Sequence, residues 1–295
     1  MRRGRSERRS AIVPEHFTHF AAIDWSGAKG RHHKGIALAM CEAGDAAPML
    51  VPPPERAWSR QAILDWLLAQ AEAPMLVGFD FSFSAPFVAR GAHLPGETTT
   101  ADARALWAYV DAASNDEDLG AASFLEARRG RHFYLGAADG AKTDFLYWRT
   151  CEVATDGGRK PSTVYDAIGA AQVAKASFAG MRLLHALAGR VPVWPFDPLP
   201  GRGMAVVEIY TAIAARAAGM RKGTSKLRDP VALDTALAAL GSRRHAPLSA
   251  YDDHSTDAIL AAAWLRASFG RADLWQPAAM TKDVAATEGW TFGVP

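Results

Sequence analysis

Phe20-Ala-Ala-Ile-Asp24 and Met75-Leu-Val-Gly-Phe-Asp80 decide the reading of the fold. Each is a short apolar run that ends on an aspartate. A run without polar alternation predicts a strand covered on both faces, the habit of parallel strands in α/β proteins. A carboxylate at the end of such a strand is costly to bury unless it is paired or binds a cation.

The flanking sequence supports that architecture. After Asp24 a turn, WSGAKGRHHKG, leads to a second strand at Gly35–Cys41. A third is expected near Pro48–Val51, before Pro52, Pro53 and Pro54 stop it. In SRQAILDWLLAQAEA the residues Ile63, Trp66, Leu67 and Ala71 recur at helical spacing. Ser59 is its expected N-cap, and Pro74 ends it before the strand Met75–Asp80. Met204–Tyr210 returns to the sheet, and two helices follow near 229–241 and 253–268. Strands, a helix and a buried strand in this order predict an α/β layer fold. Residues 95–190 read as a largely helical insertion on one domain covering 15–295, and 1–14 as a disordered basic arm.

Two further acids fall at comparable places. Glu208 lies between Val207 and Ile209, and Asp257 lies one turn inside the helix that begins DDHSTDAIL. Asp252 and Asp253 suit a helix cap, but capping does not explain Asp257. Asp253 is four residues before Asp257 and shares its face, so either is an expected ligand. Asp24, Asp80, Glu208 and Asp257, with Asp253, therefore suggest one oxygen-rich site for Mg2+ or Mn2+. Two such ions would stabilise the attacking and leaving oxygens of a phosphodiester.

At these residues the chain resembles a bacterial and archaeal family of unknown function labelled predicted ribonuclease H-like nucleases. The resemblance rests on AIDWSG, VGFDFSFS, AKASFAGMRLLHAL, VWPFD, VVEIYTA, DDHSTDAILAAAWL and EGWTFG, and spans nearly all of the chain after residue 15. It implies a ribonuclease H-like mixed sheet flanked by helices. It also implies metal-binding carboxylates at Asp24, Asp80, Glu208 and Asp257, with Glu288 as a further candidate.

Several basic residues are expected at the substrate. Lys29 in the first turn suits a phosphate. Arg128 and Arg129, beside Phe133 and Tyr134, suit a nucleic-acid strand gripped by charge and stacking. Lys222 and Lys226, with Arg221 and Arg228 around Gly223, suit a phosphate loop. The partner expected is thus a nucleic acid or another phosphate ester.

Composition bounds the rest. The 295 residues are 49% hydrophobic, which allows a sizeable core. The net charge of +2 comes from the first ten residues, where Arg2, Arg3, Arg5, Arg8 and Arg9 face Glu7 alone. Without those six charges the remainder has 28 basic and 30 acidic residues, a net −2 and a weak electrostatic footprint for nucleic acid. No apolar run reaches the length of a membrane span, and Cys41 and Cys151 form no disulfide framework, so a cytoplasmic protein is expected.

Two alternatives compete. An ATP-binding phosphotransferase of the actin and sugar-kinase type would need small residues after the strand-end aspartates, where this chain has Trp25 and Phe81. A non-catalytic binding module would keep the fold and use the carboxylates structurally. Ser26 and Lys29 match S-x-x-K but lack its companion motifs, and no Walker A pattern is present.

Overall fold

The computed structural model describes residues 13–97, 100–154, 161–168, 173–221 and 226–295. Most of the expected arm, residues 1–12, and Lys222 lie outside them. The arm's expected limit at residue 14 is too late, because Pro14 is buried and Val13 packs against the core.

Five strands form one mixed sheet: β1 His19–Asp24, β2 Ala37–Glu42, β3 Met49–Leu50, β4 Met75–Phe79 and β5 Ala205–Glu208. Their order is β3-β2-β1-β4-β5, with β1, β4 and β5 parallel and β2 antiparallel to both neighbours. All five side chains of β4 are buried, as an unbroken apolar run requires.

Helix α1, Arg60–Ala69, forms where the spacing predicts, and Ser59 Oγ accepts the Ala62 N–H at 3.0 Å. Among the described residues four α-helices follow in the expected insertion: α2 Ala103–Ala112, α3 Ala122–Glu126, α4 Thr150–Ala154 and α5 Val173–Leu187. The chain then returns through β5 to α6 Thr211–Ala217, α7 Pro230–Ala239 and α8 Asp253–Ser268, and closes with α9 Ala272–Trp275 and α10 Lys282–Thr287.

Strand parity divides the core in two, because successive side chains point to opposite faces. Ala21, Ile23, Val77, Phe79 and Val206 meet Ile63 and Leu67 of α1, Trp107 of α2 and Phe178 of α5. Phe20, Ala22, Leu76, Ala205 and Val207 meet Ile259, Ala262 and Leu265 of α8. The insertion thus shares the core of the sheet, and its last helix, α5, belongs to the layer that covers one face.

Candidate active site

Parity and register together place the acids. Ile23 lies opposite Phe79 in the parallel β1–β4 pair, so Asp24 and Asp80 leave the sheet at the same level. The Asp80 N–H donates to Ile23 O at 3.1 Å, which holds the two strand ends side by side. Both acids follow the even-numbered residues Phe20, Ala22 and Leu76 on the α8 face. Helix α8 meets them with its first turn, capped by Asp252, whose Oδ1 accepts from Ser255 N at 2.9 Å.

Asp24, Asp80 and Asp257 line one cavity of about 460 Å³, together with Lys226, His254 and Thr211. His254 Nδ1 is 2.5 Å from Asp24 Oδ2. Lys226 Nζ is 2.9 Å from Asp257 Oδ2 and 3.6 Å from Asp253 Oδ2. Asp80 is hydrogen-bonded by Thr211, with Oγ1 donating at 2.9 Å and the backbone N–H at 3.4 Å. Among the described residues Asp80 has no ion pair.

The electrostatics follow from that uneven supply of charge. Burial, then the nearby Asp24 and Asp257 carboxylates, push Asp80 up to about 7 against the hydrogen bonds from Thr211. Burial also raises Asp24 and Asp257, while His254 and Lys226 pull in the opposite direction. The bond to Asp24 holds His254 above its ordinary value. Burial works against the Lys226 charge, but Asp257, Asp253 and Asp24 outweigh it.

The loop after Asp24 is built to hold that residue still. Trp25 turns inward against Phe79 and Phe81, and its Nε1 donates to Ala176 O at 3.1 Å. A Cβ on Gly27 would stand 2.2 Å from Ala176 N, so this close approach to α5 requires glycine. The buried Arg60 donates from Nε to Ser26 O at 2.9 Å and from Nη2 to Ala28 O at 2.5 Å. The insertion forms one wall of the cavity through Glu152, Pro161, Ser162, Val173 and Ser177.

Glu208 borders the same cavity, as do Arg149 and Glu152, but its carboxylate is already paired. Glu208 pairs in register with Phe79 and therefore points to the opposite face from Asp80. There Arg149 takes it in a two-pronged bond, Nη2 to Oε1 at 2.5 Å and Nη1 to Oε2 at 2.7 Å. Thr291 Oγ1 and the Phe83 N–H complete its shell at 2.5 and 2.7 Å. Glu288 is likewise occupied: Phe87, Val88 and Thr150 donate backbone N–H groups to its carboxylate at 2.6–2.8 Å. Asp253 is drawn to Arg228 at 3.0 and 3.1 Å, so Asp257 is the member of that pair that faces the cavity.

The basic residues also divide. Lys226 lines the cavity. Lys29 is exposed on the turn and does not line it. Arg128 is held inside the insertion, 2.8 Å from Glu97 and over the Phe124 ring, and Arg129 bonds Asp139 at 2.6 Å. Both are therefore fastened away from the cavity. Arg149 and Thr211 went unnoticed in the sequence. The available cue was an arginine set among apolar residues with Glu152 three positions on, the spacing of an internal pair.

No family model, curated protein or solved structure matches this chain.

The donor set can be tested against an ion directly. Among the described residues, no group of three or more His, Cys, Asp or Glu side chains stands ready as a metal cage. The reason is visible in the contacts: Lys226 holds Asp257, and His254 holds one oxygen of Asp24. Asp24 and Asp80 remain as two adjacent carboxylates with one shared deficit of positive charge. Two carboxylates suit Mg2+, which keeps most of its water. No helix among the described residues is long and apolar enough to cross a membrane.

Proposed function

We propose that the protein is a ribonuclease H-like hydrolase that cuts phosphodiesters, most naturally in a nucleic acid, with Mg2+ or Mn2+ held by Asp24 and Asp80. One observation carries the reading. Asp24 and Asp80 are brought side by side at the ends of two parallel strands, and among the described residues Asp80 has no ion pair. A buried carboxylate kept short of countercharge is costly unless something positive arrives. The sheet order, with β2 alone antiparallel, suits the same fold family.

A bound divalent ion would polarise the phosphoryl oxygen and activate water for attack. The chain's own groups have separate tasks. Asp24 and Asp80 hold the ion, and Thr211 fixes the Asp80 carboxylate. His254, anchored to Asp24 through Nδ1, keeps Nε2 to pass a proton at the reacting oxygen. Lys226 sets a positive charge in the cavity wall, where phosphate oxygens gain from it. Trp25 and Phe81 follow the strand-end aspartates where a phosphate-gripping loop would need small residues, which disfavours the phosphotransferase alternative.

The test is cleavage of single-stranded DNA, RNA and a small aryl phosphodiester with Mg2+ or Mn2+. EDTA should abolish activity. Asp24→Asn should lower it at least 100-fold with an unchanged circular dichroism spectrum. Equal activity in both proteins would expose a contaminant. Inactivity of the wild type on every substrate would leave the non-catalytic binding module as the reading.

A further inference from the structure

We infer that Lys226 is the second cation of this site, so that the cavity takes a single divalent ion beside a permanent ammonium. This rests on the metal-dependent reading above and changes the two-ion expectation drawn from the sequence.

The geometry supplies the argument. Asp253 and Asp257 lie one helical turn apart on α8, and the Lys226 ammonium stands 3.6 and 2.9 Å from their oxygens. Arg228 grips Asp253 from its other side at 3.0 and 3.1 Å. Two acids therefore meet two bases, and this half of the site is already neutral. An ion bound to Asp257 Oδ2 would need that oxygen at about 2.1 Å, where the lysine now takes its hydrogen bond. It would also stand within a few ångströms of a like charge. Asp24 and Asp80 have less: among the described residues His254 ion-pairs with Asp24, Lys226 acts on Asp24 only at longer range, and no ion pair reaches Asp80. The contrast assigns the ion to the Asp24–Asp80 pair and the second positive charge to Lys226. An ammonium in that position gives a fixed charge that chelators cannot remove.

The experiment counts ions without measuring turnover. Mn2+ is titrated into wild type, Lys226→Met, Lys226→Arg and Asp80→Asn by calorimetry, with electron paramagnetic resonance to separate isolated from coupled ions. Thermal melts confirm folding. The expected result is one ion in wild type and Lys226→Arg, two coupled ions in Lys226→Met, and none in Asp80→Asn. If Lys226→Met does not fold, Lys226→Gln takes its place. Two ions in wild type would overturn the inference while leaving the metal-dependent reading intact. One ion of unchanged affinity in Lys226→Met would do the same. No Mn2+ bound by any of the proteins at millimolar concentration would overturn both.

Discussion

Two groups of buried acids sit at the same end of the sheet and are treated in opposite ways. On one face Glu208 and Glu152 close around Arg149, with all three side chains nearly inaccessible to water. On the other face Asp24, Asp80 and Asp257 line a cavity with Lys226 and His254, which the first group also borders, and among the described residues Asp80 receives only hydroxyl and amide hydrogen bonds. The first group is complete, with every oxygen of Glu208 taken. The second is deficient in positive charge. A complete buried ion network fastens parts of a fold together, here β5, the insertion and the segment at Thr291. A deficient one stores a preference for a cation. The acid count alone does not distinguish them; the supply of partners does.

The largest expected effect tests the complete group. Arg149→Met strands Glu208 and Glu152 without countercharge, and should cost about 3–5 kcal/mol in chemical denaturation. A loss below about 1 kcal/mol would mean that the network is not the fastening described.

The next tests the deficient group. Mn2+ at a hundred times its dissociation constant should stabilise the wild type by about 2.7 kcal/mol. Asp80→Asn should abolish that gain, whereas Glu208→Gln, though less stable itself, should keep it. A matching loss in Glu208→Gln would show that Glu208, which borders the same cavity, helps to hold the ion.

A smaller effect concerns pH. The folded-state value of Asp80 lies near 7, above the ordinary 3.8. The folded protein therefore holds a proton that the unfolded chain releases, and this contribution is fully present below pH 4. It is lost as pH rises through 7. Water reaches Asp80 from the cavity, so the metal-free protein should lose on the order of 2 kcal/mol over that window. Asp80→Asn should flatten the profile; an identical slope in the two proteins would refute the assignment.

The smallest expected effect is local. Asp252→Ala removes the cap of α8 and should cost about 1 kcal/mol. It should weaken Mn2+ binding only slightly, because Asp252 does not line the cavity. A tenfold loss of affinity would show that the helix entry, and not the paired strand ends, sets the site.

Much of this was legible in the chain itself. The strands at Asp24 and Asp80 were visible because unbroken apolar runs, Phe20–Ile23 and Met75–Phe79, leave few alternatives, and α1 because Ser59 and the helical spacing agree. Asp257 was separable from Asp252 by counting residues from the cap. That Glu208 leaves the sheet on the opposite face from Asp80, while still bordering the cavity, was not legible, because a strand's outward face depends on its register with its neighbour, and a one-residue offset reverses it. Arg128 and Arg129 read as free charges because Glu97 and Asp139, their partners, are distant or unremarkable in sequence.

By itself, the sequence determined local structure: which segments are strands, where helices start, and which acids stand at their ends. These follow from side-chain periodicity and capping, which act over a few residues. Only the tertiary structure decided which acids would be neighbours and which would be neutralised. Register brought Asp80 beside Asp24 and sent Glu208 to the opposite face. Long-range packing then delivered Arg149 to one group and Lys226 to the other. Charge compensation acts through space over a few ångströms, and no spacing along the chain encodes it.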